Sequence, residues 1–501
     1  MRSALIPLLA ALLWACQPAS GPSEDHTIIV RIEKADLIAD AHERCLAYPS
    51  PIGVHWSQEL IAALCADQFT PRLSWEVFQD KVEDKKAKEI DAQLDAILAG
   101  YYAGQVPEGT LRLAYYANFD YSAAVVESMI DSWLHQSPDS AHALVARGIH
   151  RVARAQGFRG ERFYRDTPIE AIDKMTREAE LARTDLERAL AQNPRIWPAY
   201  EALVDVARFS GDTDLGADAL QGALRVDPKN YYVRERYAAM LEPRWGGSWE
   251  QMDRVASDAA QYLDRNPRLV LLRTLALASR GWPPYHAKDF PRALELYERG
   301  IVEGPLWENL LTGGTSALRS GQHTRAVELY SQILRFWPRD QEARYWRAES
   351  FKAMELDEMA LADYQQILAT NPGNVFAQRA YAEMLLKRDD YDAAVRKLAA
   401  LHAANPSDLW VAERLAWVYV YRRPQYAEAA VLIDQLLAAD PKSGAAWLMR
   451  ADLIQFTKGE GLQEALENFV RYADVSSAEQ RQALPKVKAS LQRMSSRPAG
   501  S

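Results

Sequence analysis

Residues 375–406 read VFAQRAYAEMLLKRDDYDAAVRKLAALHAANP, and this stretch decides the fold. Apolar residues recur at helical spacing in Tyr381, Ala382 and Leu385, then again in Tyr391, Ala394, Leu398 and Leu401. The polar run Arg388-Asp389-Asp390 separates the two stripes, and Asn405-Pro406 closes the second. Two amphipathic helices joined by a tight turn follow from that pattern. Proline ends the second helix because it lacks an N–H and restrains the residue before it.

The pattern recurs outward from this stretch. Pro305, Pro338, Pro372, Pro406 and Pro441 lie 33, 34, 34 and 35 residues apart. Ala348, Phe351, Ala360, Tyr364 and Ile367 hold matching offsets in one preceding unit, and Gly314, Gly321, Ala326, Tyr330 and Ile333 in the one before. Phe290, Ala293 and Tyr297 extend it upstream; Ala429 with Ile433, then Trp447, Ala451, Ala465 and Phe469, extend it downstream. Small residues admit close backbone approach, and the large residue four after the second-helix Ala fills the space between helices. Helices ending at Pro138, Pro194, Pro228 and Pro267 match more loosely.

A period near 34 with this small-large-small order resembles the tetratricopeptide repeat. The resemblance implies an all-α, right-handed solenoid of stacked antiparallel helix pairs, which offers extended surface instead of one pocket. Residues from about 78 to 252 resemble a bacterial domain of unknown function that precedes such repeats. This second resemblance rests on Trp133, Pro138, Ser140, Ala141, Gly148, Arg159-Gly160, Thr167-Pro168, Asp185-Leu186, Ala189, Pro194 and Arg244-Trp245-Gly246-Gly247-Ser248, and implies no chemistry.

The N-terminus reads MRSALIPLLAALLWAC, one basic residue before an apolar run too short to span a bilayer. Leu13-Trp14-Ala15-Cys16 resembles the lipobox of bacterial lipoproteins. That resemblance implies acylation, palmitate included, at Cys16, and Gln17 next to it favours the outer membrane, facing the periplasm. A plain signal peptide is the alternative. Cys45 and Cys65 remain; in an oxidising compartment they suggest a disulfide, the alternative being two buried thiols.

The expected organisation is a signal peptide over 1–15, a tether over 16–35, and a helical region over 36–110. An irregular repeat region follows over 111–268, then the solenoid over 269–490 and a disordered tail over 491–501. Abundant Ala and Leu favour helix throughout. A net charge of −9 argues against nucleic acid as a partner class.

Two surfaces are candidates for binding. Register carried over from the repeat family puts Glu342, Tyr345, Glu349, Lys352, Phe376, Arg379, Glu383, Leu386, Lys387, Trp410, Glu413, Trp417, Val420 and Tyr421 in the inner groove. Aromatics beside paired charges suit a peptide or a partner helix. The other candidate is a loop edge. Insertions at 158–168, 243–252 and 281–290 gather Arg159, Arg162, Arg165, Trp245, Trp249, Trp282 and Tyr285, residue types that binding hot spots favour.

The expected function is a non-catalytic scaffold or adaptor binding cell-envelope proteins, held to the membrane by lipid. An enzyme or enzyme-activating subunit working at the loop edge is the alternative, and glycan binding by exposed Trp a third. No phosphate loop, nucleophile elbow or HExxH motif occurs. His142 and His150 are too far apart on one helix to share a metal, so no metal or cofactor is expected.

Overall fold

The computed structural model describes residues 24–70, 73–160 and 167–495. Cys16, Arg162 and Arg165 lie outside them. No strand occurs among the described residues. The helices run α1 (Glu24–Asp36), α2 (Ala41–Ala47), α3 (Gln58–Phe69), α4 (Trp75–Glu83), α5 (Ala87–Tyr102), α6 (Glu108–Phe119), α7 (Ala124–Gln136), α8 (Ala141–Arg159) and α9 (Ile169–Gln192). Then follow α10 (Pro198–Ser210), α11 (Thr213–Val226), α12 (Tyr232–Met240), α13 (Trp249–Ala259), α14 (Leu271–His286), α15 (Phe290–Glu303), α16 (Trp307–Arg319) and α17 (His323–Phe336). The last are α18 (Gln341–Ala353), α19 (Asp357–Thr370), α20 (Val375–Lys387), α21 (Tyr391–Ala404), α22 (Leu409–Tyr421), α23 (Tyr426–Ala439), α24 (Gly444–Thr457), α25 (Leu462–Tyr472) and α26 (Ala478–Ser495).

Two compact units divide within α18, residues 1–346 and 347–501. In the first, α8 packs on α9, α10 on α11, α14 on α15 and α16 on α17; in the second, α20 packs on α21, α22 on α23 and α24 on α25. Each unit is thus a stack of antiparallel helix pairs, an all-α solenoid-type fold.

Local chemistry sets the repeat. Asn374, Asp390, Asp408 and Ser443 each cap a helix by accepting a backbone N–H three residues on. The turn from first to second helix needs one left-handed residue, filled by Lys288, Gly321, Glu355 and Asp389 at φ 60°, 77°, 61° and 59°. Only Gly321 adopts it without steric cost. Gly314 lies against the Tyr330 ring, where a Cβ would come within 2.8 Å of Cε1, and Gly281 meets Tyr297 in the same way at 2.6 Å. Tyr297, Tyr330 and Tyr364 fill the cores of successive pairs.

That register corrects the third expected insertion. Residues 281–286 are the last turn and a half of α14, Pro283 and Pro284 included, and the connection is only Ala287–Asp289. Gly281 is the small residue of a first helix, in step with Gly314. Trp282 stacks on His286 with ring centres 4.0 Å apart, and Tyr285 meets Tyr297 at 6.2 Å, so both are helical side chains.

The expected tether is corrected as well. Residues 24–36 form α1, which buries Ile28, Ile29 and Ile32 and packs against α17. The whole segment 24–70 folds back onto helices more than 200 residues downstream. Trp56 Nε1 donates to Ile301 O at 2.7 Å, Gln332 Nε2 to Pro49 O at 2.7 Å, and Arg335 Nε to Cys45 O at 2.6 Å. A disulfide joins Cys45 to Cys65, Cα atoms 5.9 Å apart, tying α2 to α3. At the other end Asp67 accepts from Gly109 N at 2.9 Å and pairs with Arg268 at 2.6 Å. Beside it, buried Glu108 accepts from Tyr231 N and Asn266 Nδ2, both at 2.8 Å. Burial pushes the Glu108 carboxyl up to about 7, with Arg268 opposing. Residues 491–495, expected in the tail, close α26.

Candidate binding groove

In the second unit, one face of each first helix is turned to a common cavity of about 490 Å³. Glu383, Met384 and Lys387 come from α20, Glu413, Arg414, Trp417 and Tyr421 from α22, and Ala445, Leu448 and Met449 from α24. Each set keeps the three- and four-residue spacing that puts side chains on one helix face. Lys352 of α18 stands at one end, Glu479 and Gln480 of α26 at the other. The floor is apolar and the rim carries both signs of charge.

The rim charges are held in place. Lys352 Nζ lies 2.9 Å from Glu349 and 3.8 Å from Glu383, and Lys387 Nζ pairs with Asp357 at 2.7 Å. Arg422 covers the Trp417 ring at 4.9 Å, and Trp417 meets Tyr421 with centres 5.7 Å apart. The Tyr421 hydroxyl donates to Asp452 at 2.7 Å. Burial and then Asp452 hold that phenol well above its ordinary pKa, while burial raises the Asp452 carboxyl. Tyr421 is therefore an uncharged donor that fixes one wall.

Of the residues assigned by register, Lys352, Glu383, Leu386, Lys387, Glu413, Trp417 and Tyr421 line this cavity together. Arg379 and Trp410 do not. They form a separate stack nearer the helix N-termini, with Trp410 between Arg379 at 5.3 Å and Arg414 at 5.7 Å, and Arg379 paired to Asp408. Phe376 is 69% exposed on α20. Tyr345 belongs to the first unit, its ring 5.2 Å from Trp346. Glu479 and Gln480 were missed because α26 lies beyond the last repeat; its 18-residue amphipathic pattern was the available signal.

The loop edge is only partly assembled. Arg244 lies over Trp245 at 5.9 Å and over Trp282 at 6.0 Å, so the α12–α13 connection meets the end of α14. Trp249 opens α13 and donates to Ser279 Oγ at 3.3 Å. Arg159 instead bonds Thr167 at 3.1 Å. The two histidines of α8 are engaged separately: His142 bonds Tyr115 and Asp95, and His150 bonds Tyr121 O. No group of three metal-ligating side chains and no membrane-spanning helix occurs among the described residues.

A family model described as tetratricopeptide repeat matches residues 311–352. No curated protein matches the chain. Among solved structures, a tetratricopeptide repeat protein from Parabacteroides merdae is similar at 18% identity over 58% of this chain and 98% of its own, TM-score 0.34. The Cut9–Hcn1 hetero-tetramer of the APC/C is similar at 12% identity over 93% and 96%, TM-score 0.35. The P58(IPK) tetratricopeptide domain is similar at 15% identity over 66% and 98%, TM-score 0.24. The chain thus carries a tetratricopeptide repeat at residues 311–352, within an all-α succession of antiparallel helix pairs.

Proposed function

We propose that the second unit holds an extended segment of a protein partner in the groove between Lys352 and Glu479, and that the chain is a non-catalytic adaptor. The observation that carries this reading is the cavity itself. The first helices of four successive pairs and α26 contribute apolar floor and charged rim in a volume that suits side chains of a bound peptide. In this reading Trp417 and Met449 accept apolar anchors, while Lys387, Arg414, Glu383 and Glu413 set direction and register. The lipobox resemblance at Cys16 supports a place on the periplasmic side of a bacterial outer membrane, with envelope proteins as partners.

Crosslinking with mass spectrometry in cells tests it. The unaltered chain should recover one reproducible set of envelope proteins, with crosslinks concentrated at Lys352 and Lys387. Trp417→Ala together with Lys387→Glu should lose that set while the thermal unfolding of the protein stays the same. Equal recovery by the variant would end the groove reading. A second reading places the partner on the Arg244–Trp245–Trp282 edge, favoured by Trp245 being 42% exposed; in that case Trp245→Ala loses the set instead.

A further inference from the structure

Beside the groove, the first turns of α20 and α22 form an apolar shelf. Val375, Phe376 and Leu409 are 46%, 69% and 39% exposed, each directly after or one residue beyond its helix cap, Asn374 or Asp408. Arg379 ties the two turns together. It stands one turn beyond Val375 and Phe376, pairs with Asp408, and lies over the Trp410 ring at 5.3 Å. Single exposed apolar side chains are common, but several gathered on one edge mark a contact surface. The shelf and the cavity belong to one concave face. Phe376, Trp410 and Ala445 hold the same position in three successive repeats, 34 and 35 residues apart, and Ala445 lines the cavity.

The step from shelf to cavity is short. Trp410 and Trp417 lie two turns apart on nearly one face of α22, about 10.5 Å along its axis. Arg414 stands between them, over the Trp410 ring at 5.7 Å and lining the cavity. It differs from the other cations of this face. Lys352 is held by Glu349 at 2.9 Å, Lys387 by Asp357 at 2.7 Å, and Arg379 by Asp408. Arg414 meets only its chain neighbour Glu413, at 3.4 Å, with both side chains open to solvent. Such a pair contributes little, so the Arg414 guanidinium is the cation of the groove with charge left for a partner.

We infer that the partner segment leaves the cavity along α22, sets a second apolar side chain on the Phe376–Trp410 shelf, and turns an acidic residue to Arg414 on the way. The inference rests on the groove reading above and specifies its occupant. An extended chain covers about 10 Å in three residues, so the two apolar anchors stand three apart, with Asp or Glu at one of the two positions between. Phe376 and Trp410 offer rings to an aromatic or branched anchor. Arg379 and Arg414 flank the Trp410 indole, so a basic residue between the anchors meets two like charges, and an acidic one meets a guanidinium that it can pair with.

A random dodecapeptide library selected on the immobilised full chain tests the inference, with the affinities of selected peptides then measured by fluorescence anisotropy. Peptides whose binding Trp417→Ala abolishes are the groove binders. These should carry two apolar residues three apart with Asp or Glu between them. Trp410→Ala and Phe376→Ser should each weaken them about tenfold, and Phe376→Ser, at an exposed site, should leave the thermal midpoint of the protein unchanged. Arg414→Glu should weaken them as much, and exchanging the peptide's acid for Lys should restore binding to that variant alone. Groove binders that lack the pattern, or affinities within about twofold in Phe376→Ser and Arg414→Glu, overturn the shelf and leave the groove standing. A library that yields no peptide sensitive to Trp417→Ala overturns the groove itself, and the shelf with it.

Discussion

α17 and α21 occupy the same position in repeats two units apart, yet their surroundings differ. α21 buries Ala394 and Leu398 and turns Arg396 and Lys397 to solvent. α17 buries every residue from Ala326 to Phe336. Its second stripe, Glu328, Ser331, Gln332 and Arg335, is polar like the outer stripe of any surface helix, but the segment 24–70 lies on it. Backbone carbonyls of Cys45 and Pro49 then replace water as acceptors. The same repeat pattern thus serves two purposes: solvated wall in one unit, docking bed for the chain's own beginning in the other.

That difference can be broken from the covering side. Trp56→Ala removes a buried indole and its bond to Ile301 O, and should cost about 3–5 kcal/mol. Hydrogen exchange should then rise in α1, α3 and α17 and stay unchanged in α21; equal rises in both would show that the cover does not stabilise α17 selectively. The disulfide is expected to matter somewhat less. Cys45→Ser with Cys65→Ser should lower the stability of the first unit by about 3 kcal/mol, from the entropy of closing a loop over 20 residues. Reductant should reproduce that loss in the native protein and do nothing to the double variant.

A pH series sharpens the contrast. Glu108 has a folded pKa raised to about 7 from an ordinary 4.5. Below the lower value the carboxyl is protonated in both states and contributes no penalty. As pH rises from about 4.5 to 7 the unfolded chain ionises first, so this group's contribution falls, and above 7 the loss is complete. The urea-unfolding stability of the first unit should therefore drop between pH 4 and 8, by up to about 3 kcal/mol from this group, with most of the loss between pH 4.5 and 7. Glu108→Gln should flatten the drop, and a slope unaltered by the substitution would reassign it to Asp67 or Glu328, both also raised by burial. The smallest expected effect lies in the uncovered unit. Asp389→Gly and Glu355→Gly place glycine in left-handed turns and should each add about 0.5–1 kcal/mol in thermal unfolding.

The groove was legible to the extent that helix period decides which side chains share a face. Lys387, Glu413, Trp417 and Tyr421 meet because i, i+3 and i+4 residues of neighbouring first helices must line one side. Arg379 and Trp410 carry the same register mark but are taken up by Asp408 and Arg414, and a pattern of residue types does not say which of two neighbours a cation selects. Gly281 was misread for another reason. A Gly-Trp-Pro-Pro run reads as a loop by local propensity, and the contact with Tyr297 that keeps it helical is made 16 residues later.

Sequence alone determined the helix pairs, their turns and the inner stripe of each, because those depend on spacing within about 34 residues. It offered a disulfide between Cys45 and Cys65 with two buried thiols as the alternative, and the fold joins them. Tertiary structure alone decided that residues 24–70 cover α17 and that α26 closes the groove. Each of those depends on contacts between residues far apart in the chain, where no local period constrains what meets what.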